Sequence, residues 1–463
     1  MIRRDQLKSQ NTKYLNTQYC NTYLCRMFTD RVDELSYLEG RHSSGRAELV
    51  VISGRRRVGK TCLAKKFTEG KRSIYFLAQK EPMQFELERL KRAVSRSLGI
   101  YADAGDWDSL FQLLAKESSE RLVLVIDEFN YWVEEDPNVF SMLQRLWDEH
   151  LAGSKIMLIL SGSAFSTMAR SLSQGNPLYG RRTGKVALGP LPPWCIRDFL
   201  PSYSREDAVR VFAALGSTPY HLSQLEGGAG FEANIDAAVL SKRGLLYEDA
   251  EVTLTYEFRE PSSYLNILRA IACGATGFSE VSSKSGVDIT NLAKYLRTLE
   301  GMGIVRRETT VLGKERPLYV IADQYFKFWA RYVYPNRDFI ELGNFSFGDV
   351  RDDFERSFLP RAFEELARQS VPRLQRGGAL PAGRSGRWWQ KGSEIDIVVA
   401  SSPPVLLEVR WRDMSRQEAL DVAASARAKW QGESRCGVVA RSLEDKASLR
   451  ERFCAFDLED LLP

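Results

Sequence analysis

The segment GRRRVGKT, from Gly54 to Thr61, constrains the fold of this chain more than any other stretch. It follows an apolar run at residues 49–52 and opens the helical segment TCLAKKFTEG. A strand, the pattern G-x-x-x-x-G-K-[ST] and a helix in this order predict a phosphate-binding loop, in which glycines let backbone N–H groups face phosphates. The alternative is a basic turn that matches the pattern by chance.

The loop contains two residues with separate predicted tasks. Lys60 places a point charge on the outer phosphates, and the Thr61 hydroxyl is a predicted ligand of Mg²⁺. With one serine from a later strand, the predicted nucleotide-binding residues are Gly54, Arg55, Arg56, Arg57, Val58, Gly59, Lys60, Thr61, Cys62 and Ser163.

A second motif, RLVLVIDEFN, ends an apolar strand at Asp127 and Glu128. An Asp at a strand end can reach Mg²⁺ beside the phosphate loop, and the next Glu can orient and polarise the attacking water. Buried carboxylates are costly without such a role. The alternative is a strand that simply meets solvent at this point.

Two later segments supply further candidates. Ser161 or Ser163, in LILSGSAF, is predicted to sense the γ-phosphate through a hydrogen bond. Arg181 or Arg182, in LYGRRTGK, is predicted to stabilise transition-state charge, in cis or from a neighbouring subunit, and Arg181 is the preferred catalytic residue. A solvated basic loop explains the two arginines equally well.

Several motifs in order resemble the archaeal-type ATPases, a prokaryotic branch of the AAA-like and STAND-like P-loop ATPases. They are F-x-x-R-x-x-E-L from Phe28, GRRRVGKT, IDEF, SGS, LYGRRT and G-x-T-P-Y from Gly216. The resemblance runs from Phe28 nearly to the C-terminus. It implies ATP as the nucleotide, Glu128 as the catalytic acid, and a parallel sheet of the additional-strand class with a helical lid.

Apolar runs alternate with helical segments between residues 48 and 190, which predicts an α/β fold with a parallel sheet. The predicted strands are 49–52, 74–77, 122–126, 156–160 and 186–188. We expect five parts: an extension at 1–26, the ATPase core at 27–190, the lid at 191–258, a winged helix-turn-helix at 259–337 and a small α/β domain at 338–463. The extension repeats a polar five-residue pattern at 11–25, which predicts disorder and makes Met27 a candidate translation start.

The segment 264–321 predicts three helices and two strands, with Leu265, Ile267, Leu268 and Ile271 in its core and Asp288 or Thr290 capping the third helix. Asn291, Lys294 and Arg297 recur every three residues on one face of that helix, where a recognition helix would contact DNA. A solvated helix face is the alternative. Arg306 and Arg307 open the predicted wing. The aromatic segment YFKFWARYVYPNR, residues 325–337, favours packing over base stacking.

Residues 338–463 resemble the C-terminal domain of the same ATPases, itself similar to restriction-endonuclease-like nucleases. The resemblance makes Glu364, Asp396 and Glu408 an acidic set that would hold Mg²⁺ for phosphodiester hydrolysis. Arg410 stands where the nuclease pattern has lysine; it can clamp a phosphate but is a poor base. Lys391 is a candidate for the missing amine, and residues 366–391, with six Arg or Lys and no acid, suit a phosphate backbone. The alternative is that Glu408 and Arg410 form a structural pair.

Composition narrows the class of protein. No apolar run approaches the roughly 18 residues of a membrane span, and the seven cysteines are scattered without a C-x-x-C pair. We therefore expect a cytoplasmic protein with reduced thiols and no membrane partner. The net charge of +5 leans mildly towards anionic partners.

The leading hypothesis is an ATP- and Mg²⁺-dependent ATPase that acts as a nucleotide-controlled switch on nucleic acid, with DNA favoured. One rival is a signalling ATPase whose appended domains bind protein, as a homo-oligomer or with another partner. The other rival is an ATP-gated, Mg²⁺-dependent nuclease.

Overall fold

The computed structural model describes residues 28–163, 174–258 and 260–463. The five-residue repeat and Met27 lie outside the described residues. The chain divides into two compact units, the first ending at Gly189 and the second beginning at Pro190. Each unit has its own central sheet.

The first unit alternates strands and helices. Its strands are β1 Glu48–Ser53, β2 Ser73–Leu77, β3 Leu122–Asp127, β4 Ile156–Gly162 and β5 Gly184–Ala187. Its described helices are α1 Val32–His42, α2 Lys60–Thr68, α3 Met83–Leu98, α4 Trp107–Glu117, α5 Asn130–Glu135 and α6 Val139–Leu146, the last continuing as a π-helical turn, Trp147–Leu151. All five predicted strands are present, and only the last is displaced: β5 begins at Gly184, two residues before the predicted start.

The five strands form one parallel sheet in the order β2-β3-β4-β1-β5. Successive β1 residues enter two separate cores: Leu49 and Val51 lie in one, and Val50 and Ile52 in the other. Burial on both faces explains why this strand is a continuous apolar run rather than an alternating one. Strand β4 lies between β1 and β3, and is the additional strand that the resemblance implies.

The second unit begins with short helices. They are a 3₁₀ turn Pro193–Cys195, α7 Ile196–Phe199, α8 Arg205–Leu215, α9 Pro219–Leu222, α10 Phe231–Ala238 and α11 Asp249–Glu257. Helix α8 begins at Ser204, whose side chain accepts a hydrogen bond from the Asp207 backbone N–H.

Three helices and a two-stranded antiparallel sheet come next. They are α12 Pro261–Ala272, α13 Phe278–Ser285, α14 Ile289–Gly301, β6 Val305–Glu308 and β7 Leu318–Ile321. This is the element order predicted for residues 264–321, and Asp288 caps α14 as expected, through the Thr290 N–H at 2.8 Å. One core residue was predicted wrongly, because Tyr264 is buried on α12 and Leu265 is only half-buried.

A run of aromatic helices follows the two strands. It comprises α15 Gln324–Phe328, a π-helical turn Trp329–Val333, a 3₁₀ turn Tyr334–Asn336 and α16 Arg337–Glu341. Most of its large side chains are buried, although Phe339 on α16 is exposed, and α8 packs on α15. The Tyr325 hydroxyl donates to the Leu246 carbonyl at 2.5 Å, and the Trp329 indole donates to the Tyr247 carbonyl at 2.9 Å. These rings therefore pack inside the unit and are not available to stack on bases.

The C-terminal part is a mixed α/β layer. Its helical elements are Phe347–Asp349 (a 3₁₀ turn), α17 Arg351–Asp353, Phe354–Phe358 (a π-helical turn), α18 Leu359–Arg376, α19 Arg416–Ala428, α20 Lys446–Arg450 and α21 Leu458–Leu461. Its strands are β8 Arg384–Gln390, β9 Ser393–Ala400, β10 Val405–Met414, β11 Arg435–Leu443 and β12 Cys454–Phe456. They form a sheet in the order β12-β11-β10-β9-β8, in which β10, β11 and β12 are parallel and β8, β9 and β10 are antiparallel neighbours. Among the helices that the structure describes, none has the length and apolar character needed to cross a bilayer.

Candidate functional site

The loop between β1 and α2 is held in a shape that only particular residues allow. Gly54 has a φ of 156°, and a Cβ atom added to it would lie 2.4 Å from the Leu188 carbonyl oxygen. Gly59, at the N-terminus of α2, has a φ of 95°, and Arg57 has a φ of 74°. Positive φ at these positions curls the backbone, as a phosphate-binding loop requires.

Lys60 reaches back over this loop. Its ammonium donates to the carbonyl oxygens of Gly54 at 2.9 Å and Arg55 at 2.8 Å. The Lys60 side chain is thus held across the hollow of the loop, where phosphates would lie. A buried point charge in this place suits an anionic ligand.

Thr61 and Asp127 meet at the end of the sheet. The Thr61 hydroxyl donates to one carboxylate oxygen of Asp127 at 2.7 Å, although the two residues are 66 positions apart in the chain. Asp127 is the last residue of β3 and is fully buried. A hydroxyl and a carboxylate oxygen in contact are hard oxygen donors of the kind that Mg²⁺ prefers, so the two predicted ligands fit that ion.

Tyr75 is a member of this site that the sequence did not reveal. Its hydroxyl donates to the same Asp127 oxygen at 2.5 Å. Burial, followed by the Asp127 charge, raises the pKa of Tyr75, so the hydroxyl keeps its proton. The signal was available only through topology, since β2 pairs with β3 and the two strands end together.

Glu128 takes an unusual backbone conformation immediately after β3. Its φ is 53°, which directs the side chain away from the strand line. Its carboxylate accepts a 2.6 Å hydrogen bond from the Ser163 hydroxyl. The backbone N–H of Ser163 in turn donates to the Asn130 side-chain oxygen at 3.2 Å. Strand β4 thus supplies a hydroxyl that orients the predicted catalytic acid.

The two serines of the SGS segment have different surroundings. Ser161 is fully buried within β4, and its hydroxyl has no hydrogen-bond partner among the described residues. Ser163 lies just beyond the strand and touches Glu128. Of the two predicted γ-phosphate sensors, the structure therefore brings Ser163 to the acid and leaves Ser161 inside the sheet.

Arg181, the preferred catalytic arginine, is held by an acid outside the phosphate loop. Its guanidinium donates to both carboxylate oxygens of Asp148, at 3.0 and 2.7 Å. Arg182 lies over the Tyr179 ring, with its guanidinium carbon 5.3 Å from the ring centre. A catalytic role for Arg181 would require it to leave Asp148, so that role stays a prediction.

Arg31, from the F-x-x-R-x-x-E-L motif, supports the phosphate loop from behind. Its guanidinium donates to the Val58 carbonyl at 3.2 Å and to the Gly189 carbonyl at 2.6 Å, and it pairs with Glu34 at 3.1 Å. The first motif of the chain is therefore in direct contact with the second.

The second unit contains the predicted acidic set. Asp396, on β9, accepts from the Val409 N–H at 2.8 Å and from the Arg410 guanidinium at 3.0 Å. Glu408, on β10, accepts from Arg410 at 2.8 Å. Arg410 therefore bridges the two acids, and the structural pair considered as an alternative is present.

Lys429 is the amine beside this set, and the sequence did not indicate it. From the end of α19 it donates to Glu408 at 2.7 Å. Lys391, the candidate from the sequence, lies in the turn between β8 and β9 with a φ of 47°, and among the described residues it makes no side-chain hydrogen bond. The structure therefore places Lys429 at the acidic set, and the role of Lys391 stays a prediction.

Glu364, on α18, is the third member of the predicted acidic set, and its pKa depends on another member. Burial, followed by the charge of Asp396, raises the pKa of Glu364 to about 7. The same two causes raise the pKa of Glu408. Both glutamates are therefore poorly solvated, and each is near enough to Asp396 for the charges to interact.

The three carboxylates do not form a ready cage for an ion. Within 28–163, 174–258 and 260–463, the group of His, Cys, Asp or Glu whose ligand atoms all lie within 4.8 Å of one another is Asp108, Glu149 and His150, in the first unit. In the second unit Arg410 and Lys429 already occupy Asp396 and Glu408. Holding Mg²⁺ between Glu364, Asp396 and Glu408 would require these cations to move, because they neutralise the same oxygens.

The basic stretch 366–391, which the sequence matched to a phosphate backbone, is largely paired within the protein. At least four of its six cations are engaged: Arg368 with Glu365, Arg373 with the Asp460 carbonyl, Arg384 with the Val311 carbonyl, and Arg387 with Glu394. Arg306, predicted to open the wing, is likewise bound to Glu365 at 3.0 and 2.9 Å. These pairings could not be predicted from the stretch alone, because every partner lies outside it.

The third helix of the 261–321 segment keeps its predicted exposed face. Asn291, Lys294 and Arg297 are all exposed on α14, whereas Leu292, Leu296 and Leu299 are buried on the other side. The neighbouring Arg307, on β6, is exposed as well.

Comparison with known proteins gives the chain its relatives. Residues 28–225 match the ATPase domain predominantly from Archaea, and residues 329–422 match a second model, described as Archaea bacterial proteins of unknown function. An uncharacterised protein of Methanocaldococcus jannaschii is 31% identical over 449 residues, which are 94% of this chain and 100% of that protein. An uncharacterised ATP-binding protein of the same organism is 50% identical over 46 residues, 10% of this chain and 78% of that one.

A solved structure resembles part of the chain. The Walker-type ATPase of Pyrococcus abyssi superposes with a TM-score of 0.51 at 18% identity, covering 66% of this chain and 96% of that one. At this identity the likeness concerns the fold.

Proposed function

The chain belongs to the family whose ATPase domain occurs predominantly in Archaea, and from this membership and the site geometry we propose that it hydrolyses ATP with Mg²⁺ and uses the nucleotide state to control a nucleic-acid-binding unit. One observation carries the enzymatic part. Thr61, at the start of α2, and Asp127, at the end of β3, meet at 2.7 Å beside the curled loop. That contact is where a nucleotide-bound Mg²⁺ would be held.

Each residue of the site has a task in the proposed reaction. Lys60 binds the outer phosphates of ATP and offsets their negative charge. Thr61 and Asp127 would hold Mg²⁺, which when bound neutralises charge that develops on the phosphates. Glu128 accepts a hydrogen bond from the attacking water and orients it, and Ser163 fixes the Glu128 carboxylate.

A pair of variants tests the hydrolytic proposal. Lys60→Ala should abolish ATP binding, measured by titration calorimetry, whereas Glu128→Gln should bind ATP normally and release no phosphate. The exposed Lys155 offers a matched control, because Lys155→Ala removes one positive charge from the same unit. Unchanged turnover in Glu128→Gln would move the catalytic role to another residue.

The proposed domain division is a core at 27–190, a lid at 191–258, a winged helix at 259–337 and a restriction-endonuclease-like domain at 338–463. The order α12, α13, α14, β6 and β7 supports the winged helix. The exposed row Asn291, Lys294 and Arg297 is suited to the major groove, with Lys294 and Arg297 also suited to backbone phosphates.

For the C-terminal domain we favour binding of nucleic acid over cleavage. Two observations support this: Arg410 keeps its charge at all accessible pH values, and it lies between Asp396 and Glu408. An arginine in this place is suited to clamping a phosphate and unsuited to removing a proton from water.

A second candidate function is signalling through protein partners, with a homo-oligomer among them. It is favoured by the neutralisation of the basic stretch, since Arg368, Arg373, Arg384 and Arg387 are engaged within the protein.

Gel-shift assays at several salt concentrations separate the two candidates. If α14 touches phosphates, DNA affinity should fall steeply with salt, and Lys294→Glu with Arg297→Glu should weaken it without changing ATP hydrolysis. The exposed Arg452 provides a control reversal on the same unit. Absence of binding at every salt concentration would favour the protein-signalling candidate.

A further inference from the structure

A cavity of about 390 Å³ opens inside the second unit, between the segment 271–331 and the segment 357–394. This volume falls within the range of about 300–1,000 Å³ that is usual for small-molecule sites. Six cations line it, against four glutamates: Arg306, Lys327, Arg331, Arg361, Arg368 and Arg387. Arg331 is paired with Asp353 at 2.9 and 2.7 Å, which leaves five cations against the four glutamates. The small positive excess favours an anion.

Lys327 is the cation whose surroundings most require a ligand. Among the described residues its ammonium has no hydrogen bond and no ion pair, and it lies 5.5 Å from the centre of the Phe358 ring. Burial lowers the pKa of Lys327 to about 8; the charge of Glu365 and, more weakly, that of Glu364 oppose this shift, while Arg361 and Arg368 add to it. An unpaired, poorly solvated ammonium is costly, and a bound anion would remove that cost.

Two further donors in the same cavity wall are unsatisfied. Nη1 of Arg368 and Nε of Arg387 are buried without a hydrogen-bond partner in the described part of the chain. The other nitrogens of these guanidinium groups are engaged, Arg368 with Glu365 and Arg387 with Glu394. Buried N–H groups without acceptors are uncommon in folded proteins. Because these two nitrogens are themselves buried, a ligand in the cavity could accept from them only after the side chains turn towards it.

We propose that this cavity binds the phosphate group of a nucleotide, with Lys327 and Arg361 as its charge partners. Phosphate offers several strong acceptor oxygens, which matches an ammonium and a guanidinium group better than a single carboxylate would. The terminal nucleotide of a nucleic-acid strand and a free mononucleotide carry the same group. The choice of a strand as its source rests on the proposed function.

The position of the cavity connects it to the acidic set. Glu364 and Glu394 line it, and Glu364 is close enough to Asp396 for the two charges to interact. A phosphate held by Lys327 would thus share the cavity with Glu364, a member of the acidic set.

The experiment uses the full chain carrying Lys60→Ala, so that the phosphate loop does not bind the probes. Three probes are AMP, a 5′-phosphorylated single-stranded oligonucleotide and the same oligonucleotide with a 5′-hydroxyl. Affinities are measured by calorimetry for AMP and by fluorescence anisotropy for the strands, before and after adding Lys327→Gln. Arg361→Gln serves as a second variant, because this exposed residue can be replaced without disturbing the core, and Arg452→Gln is the matched control outside the cavity.

We expect each cavity variant to weaken binding of AMP, of the 5′-phosphorylated strand, or of both by about tenfold or more, and the control to change nothing. If the cavity variants no longer bind the 5′-phosphorylated strand more tightly than the 5′-hydroxyl strand, the ligand is a strand end. If they lose affinity for AMP alone, the ligand is a free nucleotide. An effect on AMP with no strand binding at any salt concentration would uphold the cavity and remove the nucleic-acid part of the proposed function.

The opposite outcomes overturn the inference. If strand affinity depends neither on the 5′-phosphate nor on either cavity substitution, the proposed function stands but the cavity does not bind the strand. Failure of AMP and of both strands to bind the Lys60→Ala protein would equally reject it.

Discussion

The Ser163 hydroxyl donates a 2.6 Å hydrogen bond to the carboxylate of Glu128, joining the end of β4 to the residue that follows β3. Because β4 lies beside β3 in the sheet, the two strands deliver these groups to the same edge. The contact suggests a second role for Ser163 beside the predicted one. Ser163 could orient Glu128, the predicted catalytic acid, or could read the γ-phosphate directly.

These two roles give different kinetics for Ser163→Ala. If Ser163 orients Glu128, kcat for ATP should fall by about tenfold, or about 1.4 kcal/mol of barrier, while KM stays constant. If it binds the γ-phosphate in the ground state, KM should rise instead. Steady-state phosphate release over a range of ATP concentrations distinguishes the two.

Ser161→Ala is the matched control, since the Ser161 hydroxyl is buried without a partner among the described residues. A double variant with Glu128→Gln should be no slower than Glu128→Gln alone, because Ser163 acts through that acid. Additive losses would show that Ser163 acts by another route.

Gly54 tests the shape of the phosphate loop. In Gly54→Ala the new Cβ would lie 2.4 Å from the Leu188 carbonyl oxygen, so the backbone must shift, at a cost of about 1–3 kcal/mol. We expect a lower Tm and a loss of ATP affinity, measured by thermal denaturation and calorimetry. Gly153→Ala is the control, because a Cβ there would meet no described heavy atom within 4 Å. Normal ATP binding by Gly54→Ala would contradict the close approach.

The first unit was largely predictable because its signals are local. A buried parallel strand is a continuous apolar run, and the glycines and Lys60 of the loop act within eight consecutive residues. The contacts of Tyr75 and Arg31 were not predictable, since each depends on which segments the sheet and the helices bring together.

The second unit was less predictable, because most contacts at its predicted site join residues that are far apart in the chain. The exposed and buried faces of α14 follow from helical periodicity, and the structure has them as expected. The pairing of Glu408 with Lys429 joins residues 21 positions apart on a strand and a helix, and the engagement of Arg306 by Glu365 spans 59 positions. No periodicity connects such partners, so the neutralisation of these charges could not be predicted from the sequence.

Lys327 makes the stability of the second unit depend on pH. Its pKa in the folded protein is about 8, below the ordinary value of 10.5, mainly because of burial. Below pH 8 the ammonium is charged in both the folded and the unfolded chain, so its desolvation cost is fully present. As pH rises from 8 to 10.5 the folded protein releases the proton first, and the cost disappears.

Lys327→Met should therefore be more stable than the wild type at pH 7. The gain in the free energy of unfolding is at most about 3 kcal/mol, which corresponds to the full difference between the two pKa values of Lys327. The advantage should shrink at pH 10. Urea denaturation of both proteins at pH 7 and pH 10 measures the difference in their free energies of unfolding. Titration of the other groups affects both proteins equally and cancels in this difference. A variant less stable than the wild type at pH 7 would show that the ammonium has a stabilising partner.

Arg410 decides whether the C-terminal domain cuts nucleic acid. It bridges Asp396 at 3.0 Å and Glu408 at 2.8 Å, so it neutralises the acids, and the proposed likeness to nucleases would place a lysine at its position. We expect the wild type to bind nucleic acid and to cleave a plasmid slowly or not at all. Arg410→Lys would supply a group able to position water, raising cleavage by about tenfold or more, provided that Glu364, Asp396 and Glu408 converge on one Mg²⁺.

Asp396→Ala, in the wild type and in Arg410→Lys, is the control for this prediction. It removes a predicted ligand and the main partner of the Val409 N–H, and should abolish any cleavage that appears. Rapid wild-type cleavage that depends on Asp396 would overturn the preference for binding and make this a nuclease that tolerates arginine. Cleavage that persists in Asp396→Ala would belong to a contaminant. If the wild type and both single variants are inert and calorimetry detects no Mg²⁺ at the acidic set, the acids serve the ion pairs with Arg410 and Lys429, and the domain is a docking module.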